Sequence, residues 1–447
     1  MATATRASQR SHYSLKVIPR DEHCVSRKDI SNNALKVMAR LREHDHQAYL
    51  VGGAVRDLLL GGHPKDFDVA TDATPEEVHA LFRNSRIIGR RFRIVHVRFG
   101  REVIEVTTFR GHHGNDEAHA KKSAAASQSA EGRLLRDNVF GTLEEDAVRR
   151  DLTVNALYYD SGRFEVLDQV NGMRDLEERQ IRVIGDPEQR YREDPVRMLR
   201  TLRFAAKLDF SVAPGSGDPI PELAALLDDI PPARLFDEFG KLFLSGHAQA
   251  TLRLLRRYRV FEHLFPESAW LIEGDEFQAR LLDIAMVNTD KRIHDDKPVT
   301  PAFILAAILW PALCERREML ERGGEAPVPA MHASGQQIIA EACRRIAIPR
   351  RFSLPMREIW ELQLRLERPR GKRAVELLAK RRFRAAYDFL LLREEAGEDC
   401  GGLGAIWTQL QEEHGPVTLE PESEDERPRP RRRRRGGRRR SAEAPRD

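Results

Sequence analysis

The sequence predicts an α+β protein: an α/β head, then a mostly helical body, then a disordered basic tail. Three observations carry that expectation. Strand and helix signals alternate from about residue 26 to 110, apolar residues recur three and four apart from about 143 to 412, and arginines crowd residues 427–447. At 447 residues, 41% hydrophobic and 32% charged, the chain has material for a sizeable core and, at roughly 150 residues per domain, about three folding units. A wholly disordered protein is excluded.

Residues 26–44 read as a helix, with Ile30, Ala34, Val37, Met38 and Leu41 on one face behind Ser26 or Asp29 as caps. AYLVGG (48–53) reads as a strand ending in paired glycines, and VRDLLLG as a short helix closed by Gly61 and Gly62. FDVAT (67–71) is a second strand. Thr74-Pro75-Glu76-Glu77 supplies an N-cap, a proline at the first helical position and a capping-box glutamate for a helix through Phe82. FRIVHVRFG and REVIEVTTF, joined around Gly100, predict a β-hairpin. The stretch 111–132 is rich in small polar residues and reads as a mobile loop. From 143 onward helical signals take over, broken by Pro/Gly segments near 211–221, 323–330 and 368–371.

The apolar run 303–314 is interrupted by Pro311 and is shorter than the about 20 residues a bilayer requires, so no membrane span is expected. The N-terminal stretch has no apolar segment suited to a signal peptide. The cysteines (Cys24, Cys314, Cys343 and Cys400) lie far apart, which points away from a disulfide scaffold or zinc site and towards a reducing cytoplasm. The formal net charge of +4 hides an asymmetry. Residues 427–447 hold eleven arginines against two acids, a net of +9, so the rest of the chain sums to −5. Such a run repels itself and buries nothing, yet it can neutralise phosphates and release their counterions. It is either a solubilising tail or a nucleic-acid contact.

Three constellations carry chemistry. In the first, Gly52 and Gly53 stand between strand and helix, where the backbone can approach a ligand and aim amides at phosphate oxygens, with Arg56 as a charged donor on the same helix. Asp66 and Asp68, two apart on the next strand, project from one face and form a hard-oxygen pair suited to Mg²⁺. Glu105, on a neighbouring strand with Val103 and Thr107, is either an edge solubiliser or a third acid. The second constellation, 144–155, packs Arg149, Arg150, Asp151 and Asn155 against the apolar Leu152, Val154 and Leu157. It reads as a solvated face with pairs Glu145–Arg149 and Asp146–Arg150, or as polar groups turned into a cleft. In the third, 191–200, Asp194 and Arg197 are three apart and form either an intrahelical ion pair or an acceptor and forked donor for the edge of a nucleobase.

Gly-Gly-x-Val-Arg-Asp, Asp-Phe-Asp, Arg-Arg-Asp-x-Thr-x-Asn and Glu-Asp-x-x-Arg, in this order, resemble the class II nucleotidyltransferase superfamily. That superfamily includes the bacterial poly(A) polymerases and the tRNA CCA-adding enzymes. The resemblance covers about residues 26–265. Stretches such as KDFDVATDATPEEVHALFRNSRIIGRRFRIVHVRFG, LLRDNVFGTLEEDAVRRD and GKRAVELLAKRRFRAAYDFLLLRE (371–394) are similar to the bacterial poly(A) polymerases and extend it over nearly the whole chain. The resemblance implies that Asp66 and Asp68 bind catalytic magnesium and that Asp151 belongs to the active site. It implies that Gly52, Gly53 and Arg56 hold triphosphate, while Arg150, Asn155, Asp194 and Arg197 contact nucleotide. The implied organisation is an N-terminal extension (1–25), a nucleotidyltransferase head (26–160), a helical nucleotide- and RNA-binding neck (161–265), a C-terminal helical RNA-binding body (266–413) and a tail (414–447).

The expected reaction is transfer of AMP from ATP to the 3′-hydroxyl of RNA without a template, for RNA 3′-end polyadenylation and turnover. Its expected partners are ATP, RNA 3′ ends and RNA-decay proteins. RNA is expected along RLLRRYR (253–259), RPRGKR (368–373) and KRRFR (380–384), each of which could equally be a solvated helix face. Two rival readings are a CCA-adding enzyme and a non-catalytic RNA-binding protein on the same scaffold.

Overall fold

The computed structural model describes residues 13–89, 93–111, 127–128, 134–136, 139–369 and 371–414. The strands are β1 (Lys16–Ile18), β2 (Ala48–Val51), β3 (Asp68–Thr71), β4 (Ser85–Ile88), β5 (Ile94–Phe99), β6 (Glu102–Thr108), the small β7 (Ser127–Gln128) and β8 (Leu134–Arg136), β9 (Leu157–Asp160) and β10 (Glu165–Asp168). Eight of them form one sheet in the order β1-β10-β9-β2-β3-β6-β5-β4. All of its ladders are antiparallel except β3 with β6, which run parallel.

Helices α1 (Asn32–Arg42), α2 (Gly53–Leu59), α3 (Pro75–Leu81) and α4 (Leu143–Arg149) belong to the same region. α1 starts later than the spacing predicts: Ser31 Oγ accepts from the amides of Asn33 and Ala34, while Ser26 caps a separate short turn, Arg27–Asp29. A side-chain cap of this kind is worth about 1 kcal/mol, so the nearer serine sets the start. α1 buries Ala34, Val37, Met38 and Leu41, four of the five residues assigned to its face, and the fifth, Ile30, is buried just ahead of it. The reciprocal Thr74–Glu77 capping box on α3 forms as read, and Thr142 and Glu145 build a second on α4.

The helical reading from 143 onward misses β9 and β10. These strands complete the sheet and, with β1, draw it from residues on both sides of 26–160. Leu157, Tyr158 and Tyr159 are all fully buried, so β9 lacks the alternation that marks a one-sided strand.

Beyond the sheet the chain is helical. α5 (Gly172–Glu177), α6 (Pro187–Glu193), α7 (Val196–Leu208), the short α8 (Pro214–Gly217) and α9 (Ile220–Leu223), and α10 (Pro232–Phe243) lead into further helices ending with Leu403–His414. One continuous core runs from Val25 through the head and the neck helices to Trp360 and Ala396. A second, smaller core gathers Leu366, Phe383, Tyr387 and Trp407, whose indole donates to the Leu366 carbonyl at 2.9 Å. The tail, most of the 111–132 stretch and the first 12 residues lie outside the described residues. Among the described residues no helix is long and apolar enough to cross a membrane.

Candidate active site

β2 runs directly into Gly52, whose φ of 74° is left-handed, a conformation that strains any residue with a Cβ. A Cβ built there would stand 3.8 Å from Arg150 Nη1, so the turn faces that guanidinium closely. Arg56, one turn into α2, is only 2% exposed. Its guanidinium binds Asp57 at 2.6 and 2.7 Å, donates to Asn155 Oδ1 at 2.5 Å and lies over the Phe204 ring. Arg56 therefore fastens the glycine turn to the turn Thr153–Asn155 and to α7. Asn155 is engaged by that contact, and Thr153 by Asp175 at 2.6 Å.

The single parallel ladder sets the acids. It pairs Asp68 with Glu105, and the antiparallel β5 pairs His96 with Glu105 in turn, with His96 Nε2 and Glu105 Oε1 3.1 Å apart. Asp66 precedes the strand instead of lying on it and is exposed. Burial first, then the Glu105 charge, push the Asp68 carboxyl up to about 6. Asp66 adds to this rise, and Arg150 opposes it. Glu105 is thus part of the acidic corner.

Among the described residues no three His, Cys, Asp or Glu side chains converge to hold a metal by themselves. The corner nevertheless fits Mg²⁺, which takes one or two carboxylates and fills its shell with water and substrate phosphates. Mutual repulsion of carboxylates beside the glycine turn is what a divalent cation relieves.

Arg150 is held where it meets both groups. Its Nε and Nη2 donate to Asp146 Oδ2 at 3.1 and 2.9 Å, and Nε also to the Tyr158 hydroxyl at 2.9 Å. Tyr158 donates to the same Asp146 oxygen at 2.6 Å, and Asp146 Oδ1 accepts the Arg110 amide at 3.1 Å. The Asp146–Arg150 pair read from spacing is present. Glu145 instead closes its capping box, and Arg149 donates to the Gly111 carbonyl.

The neck forms the other wall. Asp151 is clamped between Arg197, at 2.7 Å, and Arg200. Burial alone would raise its carboxyl, but Arg200 and then Arg197 outweigh it and hold it down to about 2. Arg197 also donates to the Arg190 carbonyl at 2.8 Å and to Glu193 at 3.1 Å. The intrahelical pairing of Asp194 with Arg197 does not form. Asp194 sits in an extended turn before Pro195, off the helix, and its side chain pairs with Arg234 of α10 at 2.8 Å. Sequence reading did not single out Asp146, Tyr158, Glu193 or Arg234 as site residues. Asp146 had a signal in its spacing to Arg150, and Glu193 in opening the Glu-Asp-x-x-Arg motif.

A glycine turn at a strand end, paired acids on the adjoining strands and a helical neck whose arginines bind Asp151 define a nucleotidyltransferase. The Poly A polymerase head domain family matches residues 48–182, the family described as "Probable RNA and SrmB- binding site of polymerase A" matches 209–271, and the Polymerase A arginine-rich C-terminus family matches 323–441. Poly(A) polymerase I of Escherichia coli O6:H1 is 53% identical over 382 residues, spanning 85% of this chain and 82% of that protein. The chain belongs to the poly(A) polymerase I family, a family of polynucleotide adenylyltransferases. CCA-adding enzymes are more distant relatives: that of Bacillus pumilus is 35% identical over 232 residues, 52% of this chain and 54% of that protein. The Bacillus stearothermophilus CCA-adding enzyme, solved in complex with CTP, matches with a TM-score of 0.53 at 26% identity, covering 85% of this chain and 82% of that one. The superfamily generally uses divalent metal ions.

Proposed function

We propose that this chain adds AMP from ATP to the 3′-hydroxyl of RNA, without a template and with release of pyrophosphate, in the cytoplasm. The observation that carries the reading is the Asp68–Glu105 pairing beside a left-handed glycine turn that faces Arg150. Mg²⁺ held by Asp66 and Asp68 would supply activation of the attacking hydroxyl and stabilisation of the leaving oxygen. Glu105 adds negative charge to that corner and is oriented by His96.

The chain's own residues do the rest. Gly52 and Gly53 admit the triphosphate to the backbone, and Arg150, fixed by Asp146 and Tyr158, opposes charge developing on its oxygens. Arg56 and Asn155 act from behind by fixing the turn. Asp151 holds Arg197, and Arg197 and Asp194 present a donor and an acceptor to the incoming base. RNA follows the basic helical body and the arginine tail, and RNA-decay proteins join it there.

The test is incorporation on a generic RNA primer with each nucleotide supplied singly, beside a tRNA lacking its terminus. Long extension with ATP alone on the generic primer supports the proposal. Growth confined to the tRNA, with CTP before ATP, would replace it with CCA addition.

A further inference from the structure

The far end of the helical body carries charge that the reaction does not use. Residues 372–384 hold six basic side chains against one acid, Glu376, a net of +5. Arg382 and Arg384 are paired with Glu358 and Asp388, each at 3.0 Å. Lys372, Arg373, Lys380 and Arg381 are exposed and have no ion pair among the described residues. Val375 is exposed as well, three residues on from Lys372 along the helix Gly371–Leu378 and so on the same face.

The last helix, Leu403–His414, delivers the chain to this face. It runs antiparallel to the helix Phe383–Ala396. The Gly404 amide donates to Glu394 Oε1 at 2.9 Å, Thr408 Oγ1 and the Tyr387 hydroxyl are 2.6 Å apart, and the Trp407 ring packs on Phe383. The six residues from Thr408 to His414 advance about 9 Å, which brings the helix end level with residues 380–384. Residues beyond His414 lie outside the described residues. Their sequence passes through Val417 and Leu419 into Glu420, Glu422, Glu424, Asp425 and Glu426, a net of −5. Glu420 is six residues from His414, a reach of at most about 20 Å. Charge of matching size and opposite sign thus begins within reach of an unpaired basic face. A tether this short gives an effective concentration on the order of millimolar, enough for a contact that would be weak between separate molecules. The arginine run 431–435 competes for these acids, but Pro428 and Pro430 stand between, and Pro-rich stretches act as stiff spacers.

We propose that the acidic stretch 420–426 docks on the basic face of residues 372–384 in the RNA-free enzyme and leaves it when RNA arrives. This rests on the reading that the face contacts RNA. The tail then has two parts with opposed effects: its acids cover a phosphate-binding surface in cis, while its arginines recruit phosphate. A strand that engages the arginines as well as the face displaces the acids more readily than one that meets the face alone.

The experiment is zero-length carbodiimide coupling of the full chain at low salt, which joins a lysine amine to a carboxylate only where the two touch, with peptide mapping of the monomer. Lys372 or Lys380 joined to a carboxylate of 420–426 is expected, and excess single-stranded RNA should abolish that product. RNA affinity is titrated alongside. Neutralising the acids (E420Q, E422Q, E424Q, D425N and E426Q together) should tighten binding about three- to tenfold at low salt. The same change should gain less than about twofold once Lys372→Gln, Arg373→Gln, Lys380→Gln and Arg381→Gln have removed the face, because the two sets then no longer couple. Equal gains in both backgrounds would show the acids acting through net charge alone and overturn the proposal, as would absence of the cross-link. If the face variant binds RNA as tightly as the wild type, the reading that RNA uses this face fails and the proposal falls with it. If that variant loses affinity but the cross-link persists under saturating RNA, the RNA reading stands and the competition is overturned.

Discussion

The acidic corner and the neck clamp use the same residue types to opposite ends. At the corner, Asp68 pairs with Glu105 with Asp66 near, and burial, reinforced by those like charges, pushes the Asp68 carboxyl up to about 6. At the clamp, Asp151 faces two guanidiniums, and its carboxyl is held down to about 2 despite burial. The first is an unbalanced arrangement that invites a cation from solution. The second is balanced by its own chain and gains rigidity instead. A carboxylate's role thus follows from what stands opposite it, and only the first of these is proposed to hold metal.

The comparison can be broken most directly at its acidic end. Asp68→Asn should abolish nucleotide incorporation on an RNA primer while leaving RNA affinity nearly intact. Wild-type-like activity in Mg²⁺ would remove Asp68 from the chemistry. At the clamp, Asp151→Asn leaves partly exposed Arg200 without its ion pair and buried Arg197 with Glu193 alone, and should cost about 1–3 kcal/mol in denaturant unfolding. A loss below about 1 kcal/mol would mean that water already serves those arginines.

The pH dependences should run in opposite directions. Asp68 titrates higher folded than unfolded, so metal-free protein should lose about 2 kcal/mol as pH rises from about 4 to 6, and Mg²⁺ should reverse the loss. Asp151 titrates lower folded than unfolded. Its contribution is complete above the ordinary carboxylate range and disappears as pH falls from about 4 to 2. Melting curves with chelator or with Mg²⁺, taken for wild type and for each variant, separate the two; a wild-type curve insensitive to Mg²⁺ at pH 7 contradicts the first. The smallest effect is expected at the turn. Gly52→Ala should destabilise by about 1–2 kcal/mol through its left-handed φ, with kcat/KM for ATP falling as the strained turn shifts.

Local chemistry was legible in the sequence, and long-range partnership was not. Paired glycines at a strand end, the Thr74–Glu77 box and the β5–β6 hairpin are each written within a few residues. β9 escaped because a strand buried on both faces looks like any short apolar run. Asp194–Arg197 spacing suggested a pair because three apart means neighbours on a helix, but Pro195 places Asp194 outside one. Arg234 lies on a helix that nothing in its own segment links to Asp194. Glu105 could be put in the acidic group only once the parallel register was known, since a shift by one residue would have turned it to the core.

The parallel β3–β6 ladder also bears on when the enzyme becomes competent. Parallel neighbours cannot be joined by a tight hairpin, and here the connection contains α3, β4 and β5. Asp68 and Glu105 therefore meet only after that whole crossover has closed, a non-local step that comes at the expense of loop entropy and is intrinsically slow. Translation of β3 alone produces half of the corner, with no partner to raise its carboxyl. Metal affinity should then appear during refolding as a late signal, following the hairpin and coinciding with closure of the sheet.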